Sequence, residues 1–559
     1  MNRSAAKLGS RALGVGISTA LLSALFLVAS AHTAGAAGVV TTCDEAHLDA
    51  ALAGGGLVTF NCGGAATITV TSTKTISADT TIDGGGLITI SGGHSAGVFS
   101  VNPSVNFTVQ NLIIVNGTGA YRNAFGTGAG AIYNEGTMTV TNSTFYHNSA
   151  IGGGGIFNDG TLTVINSTFS DNSAGGGGGI YNSGTLTVTN GTFSGNSGGG
   201  IRSFDGALTV TNSTFYHNSA TAGGGGIWNY NGTLTVIVTN STFSDNSAVG
   251  GGGGISNGGP LTVTNSTFSG NSTTGGNGGG INAVLGTVTV TNTIVANSVG
   301  GNCAGSVTDG GHNIDDGTTC GFTGTGCTTT TGTSFCSTSP VLDPTGLQNN
   351  GGPTQTIALQ ASSPAINAGD ESVCTAPPVN NLDQRGYVRP GVGATSCPIG
   401  AYEYNAVPAI TTLLAADLSA TATEVLLTDV SQFPDTGTIR IDGEEMTYNG
   451  KQLTSGATAH AETAAAQPGM LLNVQRGMNG TIATSHQAGA TVVLIVPACV
   501  GDCDGSGDVT VDEILTMVNI ALGNTPVTTC EAGDANHDGQ ITVDEILTAV
   551  NNALNGCGG

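Results

Sequence analysis

The sequence predicts a mainly β protein: a parallel β-helix solenoid, then a small all-β module, then a small α domain built on two calcium loops. Three observations carry this prediction. Phe145, Phe169, Phe193, Phe215, Phe243 and Phe268 recur in steps of 24, 24, 22, 28 and 25 residues, with Ile294 next in phase. Between them run short strictly alternating segments such as "TLTV", flanked by Gly and Asn and without helical period. Near the C-terminus, "DCDGSGDVTVDE" returns 32 residues later as "DANHDGQITVDE".

The first 36 residues read as a secretory signal peptide. Arg3, Lys7 and Arg11 precede the apolar run 12–29, and Ala34-Gly35-Ala36 supplies small residues for cleavage. A retained membrane anchor is the alternative; no second apolar run follows, so cleavage leaves no integral membrane segment. The chain has 11 Lys and Arg against 36 Asp and Glu, a net charge of −25, and losing three basic residues with the signal takes this to −28. Such a surface excludes nucleic-acid binding and attracts divalent cations. The twelve cysteines fall in even groups: Cys43 with Cys62; Cys303, Cys320, Cys327 and Cys336; Cys374 with Cys397; and Cys499, Cys503, Cys530 and Cys557. In an exported chain these predict disulfides, with pairing inside the two groups of four left open.

Residues 37–340 form the predicted solenoid with its N-terminal cap. Each unit carries G-I-x-N, then T-L-T-V, then N-S-T-F-x-x-N, and linkers do not hold phase over such a length. Parallel strands stacked at about 4.8 Å place Leu162, Leu186, Leu208, Leu234 and Leu261 in one inward column and Val164, Val188, Val210 and Val263 in another. The long step comes from two extra residues in "TLTVIVTN" (233–240), which keeps the parity of alternation. Asn142, Asn166, Asn190, Asn212, Asn240 and Asn265 match a glycosylation sequon in one phase of the repeat. The expectation here is a ladder of turn side chains bonding along the stack.

The G-G-x-I and F-x-x-N elements resemble the right-handed parallel β-helix proteins of bacterial surfaces, including the polymorphic outer-membrane protein repeats. With "GHNIDDGTTC", "NNGGPTQTIALQASSPAINAGD" and "LDQRGYVRPGVGATSCPIGAYEY" the chain resembles the choice-of-anchor family over about residues 40–405. That resemblance implies an extracellular, cell-surface protein whose β-helix region ends in the family-typical segment 341–405. Residues 406–497 read as a small all-β spacer or interaction module, similar to modules of phage-tail and baseplate proteins, with the Ala-rich "SGATAHAETAAAQPG" as a loop.

Residues 498–559 hold the two calcium loops. Oxygens at positions 1, 3 and 5 converge because Gly at position 6 allows a sharp turn; a carbonyl serves at 7 and a carboxylate at 12. The predicted ligands of two Ca²⁺ sites are Asp502, Asp504, Ser506, Asp508 and Glu513, then Asp534, Asn536, Asp538, Gln540 and Glu545. Each loop leads into one amphipathic helix, "VDEILTMVNIAL" or "VDEILTAVNNAL". The pair resembles a type I dockerin, which implies a cohesin-like partner. Glu513 and Glu545 stand where that family usually has Asp, and Ser506 also departs from it. A calcium-stabilised structural cap or anchor is the alternative.

Two sets of solenoid residues are candidate sites. The column two residues after each Phe reads His147, Asp171, Gly195, His217, Asp245, so each Asp has a His one coil before it. These are weak candidates for proton transfer, as is the set His312, Asp315 and Asp316: no nucleophile or Arg joins the column, and Asp171 and Asp245 are three coils apart, about 14 Å, too far for a carboxylate pair. The turn "GHNIDDG", with His312, Asp315 and Asp316, reads as structural. The residue after each inward Ile forms an outward column, Tyr133, Phe157, Tyr181, Arg202, Trp228, Ser256, Asn282, whose aromatics Tyr133, Phe157, Tyr181 and Trp228 are candidate polysaccharide contacts. The expected function is non-catalytic adhesion or polysaccharide contact at a cell surface, through a calcium-dependent tail. The alternatives are a polysaccharide lyase or glycoside hydrolase delivered by that tail, and a structural surface component.

Overall fold

The computed structural model describes residues 38–119, 128–230, 233–275, 278–391, 394–442, 444–453, 467–478, 481–495, 500–503, 509–534 and 540–555. The expected signal segment, most of the Ala-rich insert, Cys499, Cys557 and loop positions Asp504, Ser506, Asp508, Asn536 and Asp538 lie outside these.

From Gly38 to Cys336 the described residues wind as a parallel β-helix whose central repeats pair in register, with register shifts only towards its ends, after Asp83, Ala283 and Thr323. Alternation sends one apolar residue in two inward, and stacking turns each repeat position into a column. The Phe column is a continuous ladder from Phe145 to Phe268, its rings 4.5–5.0 Å apart and within 6° of parallel. Ile132, Ile156, Ile180, Ile201, Ile227, Ile255 and Ile281 form the facing column and end on Cys303. All of these Phe and Ile side chains are fully buried. Fully burying a side chain of this size is worth about 1.5–3 kcal/mol, so the solenoid draws its stability from many equal layers.

The inserted pair corrects one inward column. Val236, not Leu234, stands between Leu208 and Leu261, and Val238 stands between Val210 and Val263. Register is held from the Phe side of the strand, so the extra residues bulge out at its start and leave Leu234 exposed. Parity survives as expected, but the residue filling the column is two places later.

A second correction concerns Asn. The sequon residues all adopt left-handed backbone, with φ between 46° and 55°, but bond along the stack only locally, as in Asn190 to Asn166 at 2.8 Å and Asn142 to Asn111 at 3.3 Å. The continuous ladder belongs to the Asn of F-x-x-N. Asn148, Asn172, Asn196, Asn218, Asn246 and Asn271 are wholly buried, and each of the first five amides donates to the next Asn oxygen at 2.8–3.1 Å. Each of the five from Asn172 on also donates to the carbonyl of the preceding coil's Phe, as Asn218 does to Phe193 at 2.9 Å. The Asn of G-I-x-N forms a shorter ladder through Asn134, Asn158 and Asn182.

Both ends of the core are covered. At the start, the helix Glu45–Leu52, capped by Asp44, lays Leu48 over the first coils beside the Cys43–Cys62 disulfide. Lys74 binds Glu45 at 2.6 Å and Asp49 at 2.8 Å. At the far end, Cys303–Cys320 and Cys327–Cys336 close the core with Phe322, settling the pairing that the sequence left open.

Segment 341–405 adds no further coil. It folds back as a strap along the side of the β-helix: Thr214 donates to the Gln355 carbonyl, Asn240 to that of Leu382, and Thr242 to the Gln384 side chain. Asp370 and Gly400 bond Asn292, and Cys374–Cys397 ties the strap internally. The later sequon Asn residues therefore seat the strap instead of one another. Residues 410–495 form five- and three-stranded antiparallel sheets around Ile439, Met446, Val492 and Leu494. Two helices follow, Val511–Ala521 and Val543–Asn555, packed on Met517, Ile541 and Ala549 and tied by Cys503–Cys530. Among the described residues no helix is long and apolar enough to cross a membrane.

Candidate functional site

The outward column of the first strand is continuous in the structure. Tyr133, Phe157, Tyr181, Arg202, Trp228, Ser256 and Asn282 pair coil by coil. Its upper part is a packed ladder. Tyr133 and Phe157 stack at 5.3 Å and Phe157 and Tyr181 at 4.6 Å, leaving Tyr133 only 7% and Phe157 only 2% exposed. Their faces rest on each other, and the Tyr133 hydroxyl donates to Asp159 at 2.7 Å. A cleft of 250 Å³ lined by Thr71, Ser95, Phe99, Thr118 and Tyr133 adjoins this end.

The glycine-rich corners answer why so much Gly precedes each Ile. A Cβ on Gly152 would come within 2.6 Å of the Phe157 ring, and one on Gly176 within 2.7 Å of Tyr181. Gly223, at φ 79°, leaves the same space for Trp228. The rings are seated on backbone that only Gly keeps clear.

Lower on the face the aromatic patch widens to two columns. The strands Ile201–Phe204 and Ile227–Tyr230 are one residue longer than their neighbours and add Phe204 opposite Tyr230, stacked at 5.4 Å. These two residues were not among the candidates read from the sequence, although the i, i+2 spacing of Arg202 with Phe204 and of Trp228 with Tyr230 places them on one face. Arg202 lies among the rings, its guanidinium carbon 4.1 Å from Trp228, 5.3 Å from Tyr181 and Tyr230, and 5.8 Å from Phe204. Burial lowers its pKa from the ordinary arginine value, while Tyr230 stays 42% exposed.

The His–Asp column is not brought together for proton transfer. His147, Asp171, His217 and Asp245 are exposed and hold φ of 52–55°, the left-handed turn between each Phe and its buried Asn, a conformation Asn, Asp and His adopt most readily after Gly. The Asp171 carboxylate leans over Gly195 on the following coil and that of Asp245 over Gly270, away from the His one coil before. No ion pair joins these His and Asp side chains. Asp315 is wholly buried, accepting from Gly317, Cys320 and Asn302, and His312 contacts the Ala368 carbonyl in the strap.

In the tail the described loop ends are buried carboxylates: Asp502 and Glu513 in the first loop, Asp534 and Glu545 in the second. Glu513 accepts from the Thr510 N–H at 2.7 Å and the Cys503 N–H at 2.8 Å, which draws position 12 across to position 2. Glu545 repeats the first of these contacts with Thr542. This all-oxygen donor set, closing from the start of a helix, fits a hard cation. Gln540 is exposed at its carbonyl-donating position, and among the described residues no group of three or more His, Cys, Asp or Glu converges. Across the two helices Val511, Leu515 and Leu522 are matched 32 residues on by Val543, Leu547 and Leu554, all exposed by more than half.

Comparison with known proteins adds the following. The family model of the right handed beta helix region matches residues 58–236 and again 179–339, together half of the chain. No curated protein matches. Among solved structures, PfbA, a surface adhesin of Streptococcus pneumoniae, is similar at 14% identity and a TM-score of 0.32, over 49% of this chain and 91% of that one. With its in-register parallel coils and a family model spanning them, the chain belongs to the right-handed β-helix family.

Proposed function

We propose that this chain is an extracellular, surface-associated protein that contacts polysaccharide through the aromatic face of its β-helix and is held in place by a calcium-ordered, dockerin-like tail. The observation that carries the reading is the patch of Tyr181, Phe204, Trp228 and Tyr230, outward-facing aromatics in a chain where aromatics are only 5% of residues. Aromatic side chains stack on the C–H faces of sugars, and weak contacts add along a polymer. The buried upper rings, Tyr133 and Phe157, act in this reading as the support that keeps the patch flat. Five disulfides among the described residues support an oxidising compartment.

For the tail, Asp502, Asp504, Ser506, Asp508 and Glu513 would hold one Ca²⁺ and Asp534, Asn536, Asp538, Gln540 and Glu545 a second. The matched apolar triplets would give a cohesin-like partner two equivalent surfaces. Affinity electrophoresis through polysaccharide gels tests the first part: Tyr181→Ala with Trp228→Ala loses retention, and unchanged retention refutes it. For the second part, surface capture of the full chain is lost in a chelator and restored by calcium; capture indifferent to calcium would remove the tail from the attachment.

A further inference from the structure

Arg202 is the one cation on the described coils between residues 128 and 311, and nothing in its surroundings neutralises it. No carboxylate lies within 4 Å of its guanidinium among the described residues, and its Nε is buried with no hydrogen-bond partner. An Arg is planar, permanently charged and able to donate two parallel hydrogen bonds to a carboxylate. Leaving such a group half-buried without an acceptor is unfavourable. Rings of Trp228, Tyr181, Tyr230 and Phe204 surround it at 4.1–5.8 Å and offset part of that cost through cation–π contact. They also fix its position, because Trp228 is itself seated on Gly223.

The neighbouring positions sharpen this. Two residues beyond the aromatic column, on the same outward face, the first strands carry Glu135, Asp159 and Ser183 before Phe204 and Tyr230. Asp159 already accepts from Tyr133 and sits two coils above Arg202. The face thus changes from acidic at its upper edge to apolar with a single cation at its centre.

We infer that the Arg202 cluster is a subsite for a carboxylate-bearing sugar: the guanidinium takes the carboxylate of a uronic-acid unit while Trp228 and Tyr230 stack on the ring faces of that unit and its neighbour. The inference rests on the polysaccharide reading above and names the class of glycan. Selection is local. The net charge of −25 repels a polyanion at long range, but at physiological salt that repulsion is screened beyond about 8 Å, whereas the buried contact is screened far less.

The test uses Trp228, the chain's sole tryptophan, as reporter. The full chain, in calcium and physiological salt, is titrated with alginate oligomers and with the same oligomers after reduction of their carboxyl groups to alcohols. The expected result is saturable change in Trp228 emission with the acid form and binding about tenfold weaker with the reduced form, the size of a charge-assisted hydrogen-bond contribution. Arg202→Gln brings the two oligomers to equal affinity, and Arg202→Lys restores only part of the preference. Equal binding of both oligomers to the unsubstituted chain overturns the Arg202 assignment and leaves the polysaccharide reading standing. Binding of neither, nor of any neutral glucan or xylan, overturns both.

Discussion

In the central repeats of the β-helix, residues 132–297, the buried polar side chains are neutral, chiefly the amides Asn148 through Asn271 and Asn134 through Asn182 stacked coil on coil. The strap and the following module bury charged groups as well. Asp383, Arg385, Arg389 and Glu403 are sequestered in the strap, with Arg385 paired to Asp383 at 2.7 Å and held between Tyr387 and Tyr402. In the module, Arg476 grips both oxygens of Glu444 at 2.8 Å, and His486 faces Asp442 at 2.9 Å and Glu444 at 2.8 Å, contacts that both donate only when the ring is an imidazolium. A repeated fold can answer a buried amide with an identical one a coil away; a single-copy fold must find a complementary group. One consequence is that the central repeats bury no carboxylate whose titration could change their stability, while the two later units do.

The largest expected effect lies in the solenoid. Phe215→Ala removes one rung of the ring ladder and costs about 3–5 kcal/mol, equally at pH 5 and pH 8 by denaturant unfolding; a pH-dependent loss would break the comparison. Next is Glu444→Gln, which leaves Arg476 buried without its charge partner and costs about 3 kcal/mol at neutral pH. Burial raises the Glu444 pKa, but Arg476, the Thr484 N–H and His486 outweigh it and hold it at about 2. Being lowered, this carboxylate contributes fully above its ordinary value of 4.5 and loses that contribution as pH falls towards 2. Acid melting of the module should therefore be shallower in the variant.

Asn218→Ala comes third. It strips an acceptor from the N–H and amide of Asn196 and a donor from the Phe193 carbonyl, a cost of about 1–3 kcal/mol at every pH. A loss within error would mean that water replaces the ladder. Smallest at pH 5 is Glu403→Gln. Burial pushes the Glu403 carboxyl up to about 8, against the pull of Arg389. A raised carboxyl pKa contributes below 4.5 and loses that contribution as pH rises to 8. Protection of strap amides against hydrogen exchange, taken relative to their intrinsic rates at each pH, should thus fall between pH 5 and 8 in the parent and stay flat in the variant.

Several features were legible because one repeat position determines one environment. The Phe period named the ring ladder, alternation named the Ile and Val columns, and "TLTVIVTN" announced an insertion that keeps parity. Sorting the two Asn positions was beyond reach of spacing. Each follows a strand and precedes a corner, and only the left-handed turns at Asn142 and at His147 decide that the first stays at the corner while the second re-enters the core. The outward aromatics were legible as a column, but their ring planes, the widening at Phe204 and Tyr230, and the isolation of Arg202 were not.

The sequence by itself determined the solenoid, its strand phases and the doubled oxygen-rich loops, since these follow from periodicity and local stereochemistry within some 30 residues. Only the tertiary structure decided that 341–405 runs back along the coils as a strap, which cysteines join within 303–336, and where a lone cation sits among four rings. Those depend on contacts between residues that no period links. Thr242 and Gln384 meet across 142 positions because the stacked coils first make a flat side for the strap to bind.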